Sequence, residues 1–390
     1  MLRPQRHMQS GFTLIEVMIG MVITLIATIV MFQIFAVSER QKRTTTGASD
    51  AQTNGALALY ILEREVRQAG FNLLGSATND CNPATTYAYY SDGAADFDMG
   101  GITQPVRIFD GGTGPDSIRT AMSASDMPDN FNFGRTNLRS TMPQSSSELN
   151  VMSTHGCAEG SLLLMVQPCA AGGTPAGSCT LMEITQVQPS ALKLQHNPGS
   201  SGPTWNPKIP YQNGSNPTGA IWPAFKATAS CKAYGICMPK PLNVGFPQFG
   251  IDASNNMTMR RVTSAGAAMA GSATEVMAPQ IMDLQAQYGI TNAGTVKGAL
   301  NWQEATGIWA GSAALTQAQI KQIKAVRVAI VARSEEYEKP VNGVCQTTTV
   351  SPTYSWGTFN TTNWPADWQC YRYKVFETVI PLINVMWANV

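Results

Sequence analysis

Charge is scarce in this 390-residue chain. Asp, Glu, Lys and Arg make up 13% of it, about half of the ~25% usual in soluble globular proteins, and they sum to +1 at pH 7. That balance offers neither a basic field to gather nucleic acid nor an acidic one to steer cations, so no direct nucleic-acid contact is expected. Histidine is reduced to three residues and no two cysteines stand in C-x-x-C spacing, which excludes the common zinc frameworks. A Walker A loop, a G-x-G-x-x-G fingerprint, a G-x-S-x-G elbow and an H-E-x-x-H helix are also missing. The patterns that announce nucleotide binding, serine hydrolysis or zinc proteolysis are therefore absent. The expectation is a non-enzymatic protein with no catalytic residue, no cofactor and no metal.

What remains of conventional site chemistry is thin. The glycine-rich "DGGTGPD" at 110–116 reads as a turn into a strand near Ile118; calcium held by Asp110 and Asp116 is the alternative, since loop carboxylates and carbonyls suit that ion. Ser153 lies near His155, and His196 closes another short segment, but nearness in sequence is not geometry and polar loop positions suffice for all three. "SEEYEK" at 334–339 reads as a solvated strand end. Trp356, Trp364 and Trp368 cluster near the C-terminus, where loop packing or an exposed partner-binding patch would each use aromatic side chains.

Eight cysteines are present, an even number without metal spacing, and that reads as disulfides formed in an oxidising compartment. Spacing leaves the connectivity open. Short loops favour Cys169 with Cys179, Cys231 with Cys237, and Cys345 with Cys370, leaving Cys81 with Cys157 by elimination. Gly, Ser, Thr, Asn and Pro fill much of the chain, a composition suited to long loops and extracellular assemblies.

From Phe12 to Val37 the only charged side chain is Glu16, and a stretch of that length crosses a bilayer core as a helix. Arg3 and Arg6 precede it; Glu39, Arg40, Lys42 and Arg43 follow, so basic residues on both flanks leave orientation undecided. The cysteines decide it by requiring the C-terminal body outside the cytoplasm. A secretory signal peptide would explain Ala36 and Ser38, but the apolar run is too long and carries an acid. A plain anchor explains the length but not Glu16, because a carboxylate inside a span costs ~2.5–3.5 kcal/mol at the bilayer centre.

"GFTLIEVMIG" at 11–20 resembles the processing site of type IV pilin precursors. The resemblance implies that residues 1–11 are a leader removed by a prepilin peptidase after Gly11. Phe12 would become the N-methylated first residue, and Glu16 the acid that pairs with the terminal amine of a neighbouring subunit. Such pairing would offset charge burial in low dielectric. Major pilins usually carry a proline in the second half of this helix; "IVMFQIF" has none and Gly20 is the only breaker in the span. A continuous helix, suited to a low-copy subunit, is expected.

Beyond the span, "ALALYILEREVRQAGF" places Leu59, Leu62, Val66 and Ala69 in one stripe, pairs Glu63 with Arg67, and stops at Gly70. "TTTGASD" at 44–50 is the expected weak point. Strands are expected in "SELNVMST", "SLLLMVQ", "LMEITQVQ" and "ALKLQH", and six prolines mark 198–223 as irregular. "APQIMDLQAQYGI" reads as a short turn or helix followed by a strand with Leu284, Ala286, Tyr288 and Ile290 on one face. "LTQAQIKQIK" reads as a helix. "AVRVAIVARS" turns Val326, Val328, Ile330 and Ala332 inward and Arg327 and Arg333 outward. "YRYKVFETVIPL" is a last strand expected beside it at the sheet's centre.

"LEREVRQAGF", "MDLQAQYGI", "VRVAIVARS" and "YRYKVFETVIPL" resemble minor pilins of the PilW type. The resemblance implies an α+β type IV pilin fold: a long N-terminal helix packed on a large antiparallel sheet head with loop insertions. Its parts would be a leader at 1–11, a membrane-spanning half-helix at 12–37, a periplasmic half-helix at 38–70, and a head at 71–390 with an insertion near 198–255. It also implies partners, namely other minor pilins, major pilin, prepilin peptidase, the inner-membrane platform and a tip adhesin. The implied location is the inner membrane with a periplasmic head, then the pilus tip. A type II secretion pseudopilin is the near alternative, and a membrane-anchored periplasmic hydrolase or binding module the distant one.

Overall fold

A computed structural model describes residues 13–70, 81, 86–88, 104–121, 134–142, 148–197, 206, 224–238, 246–262, 268, 272–292, 295, 298–313, 315–340 and 342–387. Helix α1 runs unbroken over Leu14–Gln68, ~82 Å at 1.5 Å per residue. Thr13 starts it as an N-cap, its side chain accepting from the Glu16 backbone while Glu16 answers the Thr13 backbone, a reciprocal capping box. The segment at 44–50, expected to be weak, is helical throughout. At the far end Gly70 adopts φ 74°, the left-handed region that glycine enters without a Cβ clash, and its N–H donates to Ala121 O at 2.7 Å. Asn384 Nδ2 donates to the last carbonyls, Gln68 O at 3.1 Å and Ala69 O at 3.2 Å, acceptors that a helix end leaves open.

The sheet under α1 is antiparallel, in the order β15-β14-β16-β19. Its strands are β14 (Ile281–Ile290), β15 (Asn301–Gln303), β16 (Ile323–Arg333) and β19 (Tyr373–Pro381). The final strand therefore lies at an edge among the described residues, and β14 shares the centre with β16. The position after Ala278 is a turn, with Gln280 at φ 58°, and the strand begins directly at Ile281. A short helix α2 (Gln317–Gln322) leads into β16, and α3 (Ile383–Trp387) follows β19. Beside this sheet lies a second, ordered β13-β12-β11-β3-β2. It contains β2 (Val106–Phe109), β3 (Ser117–Thr120), β11 (Phe246–Ile251), β12 (Met257–Val262) and β13 (Glu275–Ala278).

One apolar core joins these parts. Ala51, Ala58, Leu62, Val66 and Ala69 of α1 meet Val326, Val328, Ile330 and Ala332 of β16, with Ile108, Phe249, Leu284 and Tyr288. The buried stripe of α1 begins earlier than its leucines suggest. Gly47 and Gly55 are buried too, at four-residue steps with Ala51, and they let the helix backbone approach the sheet. A Cβ on Gly55 would stand 2.1 Å from the Phe376 ring, and one on Gly47 3.1 Å from Ser334 Cβ.

A separate set of strands forms its own core. The sheet β1-β7-β6-β10-β4 contains β1 (Thr86–Ala88), β4 (Gly134–Asn137), β6 (Leu162–Gln167), β7 (Ser178–Glu183) and β10 (Tyr234–Met238); only β1 and β7 run parallel. A three-stranded sheet accompanies it, made of β5 (Leu149–Asn150), β8 (Gln186–Gln188) and β9 (Lys193–Gln195). Leu138, Leu149, Leu163, Met165, Met182, Leu194 and Phe225 pack together there. The stretch 198–255, expected as one loop insertion, thus includes β10 and β11, while most of 198–223 lies outside the described residues.

The disulfides are Cys81–Cys179, Cys157–Cys237, Cys169–Cys231 and Cys345–Cys370. The expected pairs Cys169–Cys179, Cys231–Cys237 and Cys81–Cys157 do not form. Cys179 and Cys237 sit inside β7 and β10, neighbours of β6 on opposite sides, so sheet pairing carries each toward a cysteine distant in sequence. The whole is an α+β, pilin-like fold with a β-rich head.

Candidate assembly interface

The two halves of α1 differ in what surrounds them. Leu14–Glu39 has a mean hydropathy of 2.5 and no buried residue, and it is the one described helix long and apolar enough to cross a membrane. Leu14, Phe32 and Phe35 are 81%, 73% and 70% exposed. Three of its polar side chains, Glu16, Thr24 and Thr28, are engaged within the helix. Glu16 Oε2 accepts from Thr13 N and from Thr13 Oγ1, both at 2.8 Å. Thr24 Oγ1 donates to Gly20 O at 2.8 Å and Thr28 Oγ1 to Thr24 O at 2.6 Å, so both hydroxyls are satisfied without water. Glu16, Gly20, Thr24 and Thr28 recur at four-residue steps and share one face, where small residues permit close approach by another helix. Gly11 and Phe12 lie outside the described residues.

The remaining sequence candidates take structural roles. Asp116 anchors the 110–116 turn to β14: its Oδ1 accepts from Gly111 N at 2.9 Å and its Oδ2 from Ala286 N at 2.8 Å. Burial pushes its carboxyl up to about 7, against the pull of those two hydrogen bonds. Asp110 accepts from Gly112 N at 2.6 Å. The calcium alternative does not fit this arrangement, because Asp116 spends both oxygens on backbone, and no cluster of three metal-binding side chains occurs among the described residues. His155 is exposed and its N–H donates to Ser153 Oγ, a local turn; His196 is buried just after β9.

The tryptophans pack inward over β16. Met282, Ala329, Val331 and Phe359 form a third, small core, covered by Tyr354, Trp356, Trp364 and Tyr373. Trp364 stacks on Tyr373 with ring centroids 5.0 Å apart, and Trp368 meets Trp364 edge-on at 6.0 Å. Arg327, expected outward, lies between Trp302 at 4.7 Å and Trp356 at 4.4 Å, while Arg333 covers Tyr371 at 4.3 Å. β16 is therefore covered on both faces. The signal was available in Ala329 and Val331, which are apolar on the face assigned to solvent. A further buried acid, Asp283, accepts from Gln285 Nε2 at 2.9 Å and from Trp364; burial pushes it up to about 6.

Two family models match. Residues 6–32 match the prokaryotic N-terminal methylation motif, and residues 248–384 match type IV pilus-assembly protein W. The second match runs from β11 to α3 and leaves out the strands that carry three of the four disulfides. No curated protein matches the chain. No solved structure matches it. A methylation motif opening a long apolar helix, and a region similar to pilus-assembly protein W forming the part of the head on which that helix packs, together support a PilW-type pilin.

Proposed function

We propose that this chain is a minor pilin that primes assembly of a type IV pilus and joins its tip, acting as an assembly protein and not as an enzyme. The observation that carries this reading is the wholly exposed apolar half of α1, continuous with a half locked onto the head. Such a surface needs lipid before assembly and other helices afterwards. In this reading residues 1–11 are removed by prepilin peptidase between Gly11 and Phe12, and Phe12 is N-methylated. Residues 12–37 lie in the inner membrane, and residues 38–70 carry a periplasmic head of 71–390 in the compartment that permits its disulfides. The head then travels to the cell surface on the pilus.

Glu16 pairs with the terminal amine of a neighbouring subunit, leaving its capping contact with Thr13 to do so. That exchange keeps the carboxylate partnered in the membrane and in the filament, where an unpaired charge is expensive. The partners are other minor pilins, the major pilin, the inner-membrane platform and a tip adhesin. Mass spectrometry of the mature N-terminus tests the processing, with a methylated Phe12 as the expected first residue. Deletion of the gene tests the role: pili and twitching motility should be lost with protein secretion intact. Loss of secretion with normal pili would instead assign the chain to a type II secretion pseudopilin.

A further inference from the structure

A cavity of about 240 Å³ opens where four segments distant in sequence converge. They are the turn before β3, the turn between β11 and β12, the start of β14, and the aromatic loop that precedes β19. The assembly role uses none of it. Met282, Ile251 and Trp364 give it apolar wall, and Asn255, Asn360 and Asp283 give it polar wall.

The polar groups narrow the ligand class. Among the described residues no Lys, Arg or His lines the cavity, whereas Asp252 and Asp283 do, so an anion would meet like charge without compensation. A hard cation finds little to bind. Asp252 already accepts from Ser254 N, Asn256 N and Asn256 Nδ2, and Asp283 from Gln285 and Trp364. Carboxamides offer donors and acceptors side by side, the complement of hydroxyl groups, which are both at once. Apolar wall next to such groups suits a molecule with a C–H face and a hydroxyl edge. The volume falls below the ~300–1,000 Å³ of drug-sized sites, so one ring fits better than a chain of them.

We propose that this cavity binds one neutral sugar ring, giving the head a ligand contact of its own. Asn255 supplies a carboxamide from a left-handed position at φ 60°. Asn360 supplies its Nδ2 while its Oδ1 accepts from Thr362 N at 2.9 Å. Asn363 closes one side by donating to Thr113 O at 3.3 Å and Thr113 Oγ1 at 3.2 Å.

Saturation-transfer NMR on the full chain in a sugar-free detergent tests this, with glucose, galactose, N-acetylgalactosamine and glucuronate as probes and calcium chloride as a competitor. At least one neutral sugar should receive saturation, and glucuronate should not. Asn255→Gly keeps the left-handed backbone and removes the amide; Asn360→Ser keeps an acceptor for Thr362 N and replaces the Nδ2 donor with a shorter hydroxyl. Each should weaken binding at least tenfold with an unchanged unfolding midpoint. Asn360→Ser, at an exposed position, carries the test alone if Asn255→Gly fails to fold. No saturation on any neutral sugar, equal binding by the folded variants, or a preference for glucuronate or calcium would overturn the proposal.

Discussion

The head has two parts that reach stability by different routes. In the part that matches the pilus-assembly family, long strands β14 and β16 bury their inner faces against α1, and one disulfide spans 25 residues. In the other, described strands are at most six residues long, α1 contributes nothing to the core, and three disulfides span 62, 80 and 98 residues. With no helix packed onto this second core, crosslinks that restrict the unfolded chain take a larger share of its stability. In the chain-entropy model a bridge is worth ~3.5 kcal/mol at the shortest of these separations and ~4.7 kcal/mol at the longest. The helix acts as a staple for one part, and covalent bonds do so for the other.

The sharpest way to break that contrast is to remove one long bridge. Cys157→Ser with Cys237→Ser should destabilise the disulfide-rich part by about 4 kcal/mol, raising hydrogen exchange in β6, β7 and β10 while β14 and β16 stay protected. Equal loss of protection in both parts would show that they unfold as one. The reciprocal change is Gly55→Val, which drives a side chain into the Phe376 ring. It should cost ~1–3 kcal/mol, speed exchange in α1 beyond residue 47 and in β19, and leave β6 and β7 untouched.

A pH series separates the parts in a third way. Asp283 lies in β14 of the family-matching part and Asp116 is hydrogen-bonded to that strand at Ala286 N; burial raises the Asp116 carboxyl to about 7 and that of Asp283 to about 6. Their folded forms hold protons that their unfolded forms release at ordinary carboxylate values. Their contribution is therefore complete below about pH 4 and is lost as pH rises through 6 to 7. Urea midpoints of this part should fall between pH 5 and pH 8, and Asp283→Asn should flatten the slope. A rising midpoint in that range, or an equal effect on exchange in β6 and β7, would contradict the assignment. The smallest effect belongs to Trp356→Leu. Loss of one of the two rings around Arg327 should cost ~0.5–2 kcal/mol, read from the thermal midpoint, with no change in the disulfide-rich part.

Features that repeat along one dimension were legible in the sequence. The apolar span, the methylation motif, the start and stop of α1, and the inward face of β16 all follow from residue order and period. What failed depended on neighbours brought from elsewhere. The segment 44–50 looked weak because propensity sees the missing side chain of Gly47 but not Ser334, against which that absence allows packing. Cysteine pairing defeated loop length because β6 separates β7 from β10 and orders partners by strand position. The turn at 110–116 was legible, but the partner of Asp116 was not, because Ala286 N lies far along the chain. The last strand was placed at the centre because it follows β16, although β14 already holds the other side of that strand.

The close approach at Gly55 has a mechanical consequence. From there to Leu14 the helix extends about 60 Å without a hinge, so the contact with Phe376 works as the fulcrum of a long arm. A rocking of ~5° about it would displace the helix tip by roughly 5 Å, close to one helical turn. The head and the tip are thereby geared together: a small tilt of the head at Phe376 swings Glu16 sideways by about as much as one helical turn rises. A glycine far outside the apolar span thus helps to set where the first turn of the chain comes to rest.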